Sequence, residues 1–495
     1  MTEKKISKIS IIAAIIVPII GMLIHMLKDH YGIGDIYFPT SCWDDELDYY
    51  KQIAAMVSYG APQGYYGFNE STAAIGTFAA WGIAPLIPYA LVGKIFVWNY
   101  YTPVITNLVL WIAALVTFVA VLKPDRKQMT WAMAAWLAYS SITRYIFSLT
   151  PETIVTICVF FYMLFLVRYI RAGEEEKCWN WLLLANIPMI IVTLLRGYYG
   201  ILGVPFLYFV LKKKKGLWQL LTQLVLMFGA ALMSFWLISK TGAPYYTSNL
   251  DLSIFTTVLT APAAGLKQIA GMIWDGIKGS AGYALEAVHF NSMRGSWYII
   301  YYMVGLWLIY RWVFKRETYM WILIFSHVAA IVALWILYIP LEACRHLIAL
   351  GFVGFFFMMQ VERDNITKGI YVVLVILLTW FSGDTFFGTL HCKDSDTAAD
   401  IDYGASQFPD PVEFSDDRWE NTMDVSAEVY FANLYGIPAG YGINWCQDEY
   451  LLRNWGNLMA RYLVVQQGSD LESMSQQEGY EEVARYGDLV IFQMY

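Results

Sequence analysis

The sequence predicts an α-helical polytopic membrane protein of about eleven transmembrane helices, followed by a small extracytoplasmic α/β C-terminal domain. Three observations carry this. The 495 residues are 58% hydrophobic and 15% charged, against about 45–50% and about 25% in ordinary soluble domains. Apolar runs close to the roughly 20 residues that cross a bilayer recur through the first 384 positions. The short loops between them are alternately rich and poor in lysine and arginine.

The runs lie at about 9–27, 103–122, 129–147, 152–170, 179–195, 197–211, 216–238, 296–314, 319–339, 345–360 and 368–384. The first is followed by no small-x-small cleavage site and reads as a retained anchor. Lys4, Lys5 and Lys8 precede it; Lys123, Arg126 and Lys127 follow the second run, and Arg168, Arg171 and Lys177 the fourth. Lys212 to Lys215, Arg311 to Arg316, and Arg363 with Lys368 continue the pattern. Every second loop is therefore basic and short, which places the N-terminus in the cytoplasm and, with an odd number of spans, the tail outside. Residues 81–98 are apolar but carry Pro85, Pro88 and Lys94, and a span there would spoil the alternation. They read as an interfacial or re-entrant helix with Trp81, Trp98, Tyr100 and Tyr101 at headgroup level.

Two external loops are long, about 28–102 and 239–295, and complete a membrane domain of residues 1–384. The remainder, 385–495, is a separate acidic domain. From Asp384 onward there are 20 acidic and 5 basic residues, whereas the preceding chain carries a net charge of +8. Strand-like runs at Arg461–Gln466 and Asp488–Gln493 flank a helix-like Leu471–Ala484. Cys392 and Cys446 lie in this domain, where an external compartment permits a disulfide between them. No aromatic-interleaved basic stripe points to nucleic acid, and no Cys/His cluster suggests a zinc site.

The densest polar signal in the first half is Ser41-Cys-Trp-Asp44-Asp45-Glu46-Leu-Asp48-Tyr49-Tyr50-Lys51-Gln52. Its helical pattern puts Leu47, Tyr50, Ala54 and Val57 on an apolar stripe and Asp45, Asp48, Tyr49 and Gln52 on the other side. A carboxylate there can abstract a proton or hold a divalent cation such as Mg or Mn. Equally, Ser41 and Asp44 resemble a helix capping box. Arg144, Arg196 and Arg345-His346 sit at the external ends of runs, in loops too short to need solubilising charge. Ionisable residues at that depth are functional candidates, and converging guanidiniums suit a phosphate. The competing reading is that they pair with Glu152 and Glu342 or reach the headgroups. His327, mid-run, is either a buried histidine bonded between helices or the base that an acyltransferase requires. Gly64 to Ser71, rich in glycine and aromatics, suits a sugar ring and suits a membrane interface equally.

Together these residues resemble the GT-C superfamily of integral-membrane glycosyltransferases, of the protein O-mannosyltransferase and aminoarabinose transferase type. The resemblance rests on Asp45-Glu46 with Tyr49-Tyr50 after the first run, Pro85 and Pro88 before the second, and an arginine ending the third with Pro151-Glu152 opening the fourth. Arg196 between two closely joined helices, Arg345-His346 near a late run and a small outer domain complete it. Asp44, a third acid, departs from the pattern, and no one subfamily is matched. The resemblance implies an inverting transfer of sugar from a polyprenyl-phosphate-linked donor, on the outer face of the cell membrane, to an acceptor glycan, lipid or protein. Asp45 is then the base, and Glu46 assists or holds the acceptor or a metal. Arg144, Glu152, Arg196, Arg345, His346 and Tyr49 bind substrate. Two other classes stay open: a polysaccharide polymerase or ligase of the cell envelope that uses the arginines without an essential carboxylate, and a lipid or solute transporter.

Overall fold

A computed structural model of the chain describes residues 7–36, 38, 45–60, 65–70, 74–75, 78, 82–171, 178–212, 217–242, 253–391, 419–426, 440–486 and 488–495. Helices dominate. Six are long and apolar enough to cross a membrane: Lys8–Lys28, Tyr101–Leu122, Glu152–Arg171, Leu220–Thr241, Met320–Leu337 and Ala343–Val361. The other predicted runs are helical but shorter or more polar. Run 129–147 divides into Arg126–Ala138 and Ser140–Arg144, and run 197–211 begins with a 3-10 turn, Gly197–Leu202. Residues 81–98 yield only the nine-residue helix Ile87–Ile95, with Pro88 in its first turn where a missing N–H costs nothing.

The bundle interior is an aromatic stack. Trp111, Trp136, Phe160, Phe352 and Phe356 meet edge to face at centroid separations of 5.0 to 6.2 Å, an arrangement that fits the ring quadrupole. Glycine permits one close crossing: a Cβ on Gly276 would stand 2.2 Å from Trp335, so the helices Pro262–Val288 and Met320–Leu337 can meet there only without a side chain.

The tail folds as predicted at β5 (Tyr462–Gln466) and β7 (Leu489–Gln493), but Leu471–Ala484 is not one helix. The helix Asp470–Glu478 stops at Gly479, which has φ of 79°, and the chain turns into β6 (Glu481–Tyr486). Strands β3 (Thr422–Ser426) and β4 (Gly442–Cys446) complete the tail's share of a seven-stranded sheet. The other two strands come from the first long loop: β1 (Tyr65–Phe68) and β2 (Ala74–Ile75). The order is β2-β1-β4-β3-β5-β7-β6, and β1 runs parallel to β4 with Tyr66 opposite Ile443 and Phe68 opposite Trp445. The sheet domain thus draws strands from both sides of the division placed at residue 384.

The ends of the helices sort into two faces. At one, Asp29 accepts from the Leu390 N–H at 2.7 Å, Gly383 N–H donates to Phe290 O, and Asn69 exchanges hydrogen bonds with Gln447. All come from segments predicted to be external, except Gly383 at the end of the last predicted run. At the other, Lys127, Arg171, Arg311, Arg363 and Lys368 gather around one cavity.

Candidate functional site at the sheet face of the bundle

The helix Asp45–Tyr59 crosses this face. Its buried stripe is Glu46, Tyr49 and Ile53, the i, i+3, i+7 side, each at most 1% exposed. Tyr50 instead joins a half-buried ladder, stacked at 5.7 Å on Phe38 and 5.0 Å on Tyr100. The expected apolar stripe through Tyr50, Ala54 and Val57 is only half-buried, with Tyr50 and Val57 packed against the edge of the core beside Phe38, Trp98 and Tyr100. Asp44 and the side chains of Asp45, Asp48 and Glu342 lie outside the described residues.

Glu46 is held by the turn that precedes the helix Glu152–Arg171. Ser148 Oγ donates to Glu46 Oε1, and the Leu149 N–H donates to the same oxygen at 3.0 Å. That turn is itself fixed. Asn107 Nδ2 donates to the carbonyls of Ile146 and Ser148 at 3.0 and 2.8 Å, and the Tyr89 hydroxyl donates to Asn107 Oδ1 at 2.7 Å. Thr153 Oγ1 donates to Tyr145 O at 2.6 Å. None of these partners was singled out from the sequence, although the run Ser148-Leu-Thr150-Pro151-Glu152 places two hydroxyls and an acid in a connection of only a few residues.

Glu152 opens its helix after Pro151, where the dipole favours a carboxylate. It is 2% exposed and carries two guanidiniums on one oxygen: Arg196 Nη2 at 2.6 Å and Arg345 Nε at 3.8 Å. Arg196 is drawn there because its helix, Cys178–Leu195, ends one residue earlier. His346 follows Arg345. Its Nδ1 lies 2.7 Å from the Tyr198 hydroxyl, and its ring stacks at 4.5 Å on Tyr338. Two guanidiniums thus meet one carboxylate in a buried setting.

Arg144 does not join them. Its Nε donates to Thr389 O at 3.0 Å, with the guanidinium over Tyr145. Beside it, Asp29 binds His25 at 3.1 Å and Lys28 at 3.0 Å. Burial works to raise the Asp29 carboxyl, but His25, the Leu390 N–H and Lys28 outweigh it and hold the group down at about 2. Together Arg144 and Asp29 pin residues 385–391 to the first helix. On the helix Asp45–Tyr59, burial pushes the Lys51 ammonium down to about 7.

His327 lies outside this site. It stacks at 3.7 Å on Tyr301 and its Nε2 lies 3.0 Å from Tyr301 O, as a histidine bonded between helices does. Among the described residues no group of three or more His, Cys, Asp or Glu gathers as metal ligands. Cys446 is a buried thiol, and Cys392 lies outside the described residues.

No family model and no curated protein matches the chain. Solved structures do. The Archaeoglobus fulgidus oligosaccharyltransferase tethered with an acceptor peptide containing the NVT sequon aligns with 96% of this chain and 73% of its own, at 11% identity and a TM-score of 0.51. ArnT from Cupriavidus metallidurans bound to undecaprenyl phosphate aligns over 97% of both chains, at 11% identity and a TM-score of 0.45. At such identities the likeness is one of fold alone, shared with the archaeal oligosaccharyltransferase.

Proposed function

We propose that the chain is an inverting glycosyltransferase of the cell membrane, moving a sugar from a polyprenyl-phosphate-linked donor to an acceptor hydroxyl on the outer face. The observation that carries this reading is the pairing of Arg196 and Arg345 on the buried Glu152, at the same bundle face as the helix that opens at Asp45. The basic loops at the opposite face support a cytoplasmic N-terminus and an outer sheet, and the shared fold supports the transferase class.

In this reading Asp45 takes the proton of the acceptor hydroxyl. The acceptor oxygen bonds to the anomeric carbon from the side opposite the phosphate. The carbon–oxygen bond to the phosphate then breaks, its electron pair departing on the polyprenyl phosphate. Arg345, the looser of Glu152's two partners, turns toward the phosphate as charge grows on it, while Arg196 stays on Glu152 and fixes the pair. Glu46 is a positioning residue: its bonds to Ser148 and Leu149 lock the Asp45 helix against the turn that leads to Glu152. Tyr49 and His346 contact the substrate in this reading.

Asp45→Asn should lower sugar transfer from a polyprenyl-phosphate sugar in reconstituted vesicles by about 10²–10⁴-fold, the range for losing a general base, with unchanged thermal unfolding. Arg345→Ala should also be severely impaired. Full turnover by Asp45→Asn with a dead Arg345→Ala would replace this reading with the polymerase or ligase class.

A further inference from the structure

A cavity of about 730 Å³ opens at the other face of the bundle, between the helices Glu152–Arg171, Met293–Val313, Met320–Leu337 and Pro340–Val361. It is a different place from the site above. Glu152 and Arg171 stand at opposite ends of one helix, about 28 Å apart at 1.5 Å per residue. The walls are apolar, with Met163, Leu166, Val304, Leu323 and Phe357 among them, and Tyr301 with His327 lines the deep part. Its volume falls within the roughly 300–1,000 Å³ of ordinary ligand pockets. Protein interiors are otherwise close-packed, so a void of this size among helices is a place for a guest.

The mouth is charged, and the charges do not cancel. Five cations line it, Lys127, Arg171, Arg311, Arg363 and Lys368, against the acids Asp125, Glu317 and Glu362. The acids are engaged within the protein. Glu317 accepts from Arg311 Nε at 3.1 Å. Glu362 accepts from Trp307 Nε1 and from the N–H groups of Arg363 and Asp364, with Arg311 Nη1 at 3.9 Å. Asp125 caps its helix by accepting from the Gln128 N–H. Lys368 lies over the Trp131 ring. Among the described residues, Lys127, Arg171 and Arg363 make no ion pair. Three cations with no carboxylate partner among the described residues thus ring the opening of an apolar chamber. Charge complementarity selects the occupant.

We infer that this cavity holds one alkyl chain of an anionic phospholipid from the leaflet at the basic face, its phosphate seated among Lys127, Arg171 and Arg363. The chain fills a space that water cannot stabilise, and the phosphate meets guanidinium donors suited to its oxygens. The lipid is a brace between four helices, separate from any donor at the sheet face.

Native mass spectrometry of the full chain with added phosphatidylglycerol or phosphatidylcholine tests this. A cation near a leaflet is worth roughly a fivefold change in lipid binding. Retention of phosphatidylglycerol should therefore exceed that of phosphatidylcholine by about tenfold or more, and the Lys127→Gln/Arg363→Gln double variant should erase most of the preference. Ala330→Phe, which puts a ring into the chamber, should weaken retention of both lipids. Circular dichroism in lipid-free detergent reports whether each variant is folded. Equal retention of the two lipids by the native chain, an unchanged preference in a folded double variant, or full retention by a folded Ala330→Phe each overturns the assignment. Displacement of the lipid by millimolar inorganic phosphate would overturn it too, since the mouth alone would then be the site.

Discussion

Glu152 and Asp424 are both among the almost fully buried carboxylates of this molecule, and each is accommodated in a different way. Glu152, at the bundle face, has Arg196 at 2.6 Å and Arg345 at 3.8 Å. Asp424, on β3 of the seven-stranded sheet, is 0% exposed, and its described hydrogen bond comes from the neutral Asn444 Nδ2 at 2.7 Å. Its charged neighbour is another acid, Glu70, whose Oε1 accepts the N–H groups of Met459 and Ala460 at 2.6 and 3.0 Å and whose Oε2 accepts the Tyr450 hydroxyl. Taking a carboxylate out of water costs several kcal/mol. One site offsets that with cations and the other with a proton. Burial first, and then the negative charge of Glu70, push the Asp424 carboxyl well above its ordinary range, with the Asn444 bond working the other way. The cation-matched site keeps its carboxylate as an ion, paired with two guanidiniums. The proton-matched one holds two chain segments together.

The largest break in this comparison comes from Arg196→Ala. It strands Glu152 with the more distant guanidinium, and removing one partner of a buried pair costs about 3–5 kcal/mol. Thermal unfolding in detergent should show a large drop, and sugar transfer should fall with it. The double variant Glu152→Gln/Arg196→Gln removes both charges and should regain part of the loss. If the single and double variants are equally destabilised, the cost lies in packing and the electrostatic contrast fails.

Glu70→Gln attacks the other site. An amide oxygen accepts more weakly than a carboxylate, and its NH₂ now faces donors at Met459 or Tyr450, so about 1–3 kcal/mol should be lost. The loss should appear as faster hydrogen exchange in β1 and β4, which Glu70 helps to join, with the membrane helices unaffected. Exchange that accelerates uniformly would mean that the two regions unfold as one unit.

The sharper test of the Asp424 proton is pH. Asp424 has a folded-state pKa above the unfolded value of about 3.9, so the folded sheet binds a proton that the unfolded chain has released. Its contribution is complete below about pH 4 and drains away as pH rises through the raised folded value. One proton gives at most about 1.4 kcal/mol per pH unit. Asp424→Asn, a neutral stand-in of the same shape, should flatten this slope in hydrogen exchange of β3 and β4 between pH 4 and 9. A slope unchanged in the variant assigns the proton elsewhere.

Hydropathy and loop charge made the helical body legible, since both are local properties of the chain. The candidate acids and arginines stood out for a related reason, as ions in connections too short to need them. Their partners did not. That Arg196 and Arg345 share Glu152 while Arg144 turns to Thr389 depends on which helices are neighbours, and spacing along the chain does not encode that. The seven-stranded sheet was less legible still. Tyr65–Phe68 reads as a glycine- and aromatic-rich loop, and it becomes a strand only because β4, more than 370 residues later, lends it an edge. Asn69 and Glu70, in the segment considered for a sugar ring, bind Gln447, Met459 and Ala460 instead.

The smallest effect belongs to an ion pair of the same chemistry as Glu152–Arg196 placed in water. Arg485 binds Glu472 and Glu482, each at 2.8 Å, on a side chain that is 33% exposed. The geometry is as good as at the bundle face, and two carboxylates surround one guanidinium where there two guanidiniums surround one carboxylate. Solvent screens the attraction, and the long side chains lose rotamer freedom in forming it, so Arg485→Gln should change stability by about 0.5 kcal/mol or less. Salt at about 1 M, where the screening length is about 3 Å, should remove even that, while leaving the effect of Arg196→Ala nearly intact because water does not reach that pair. A large Arg485→Gln effect that resists salt would mean that hydrogen-bond geometry, and not burial, sets the strength of these pairs.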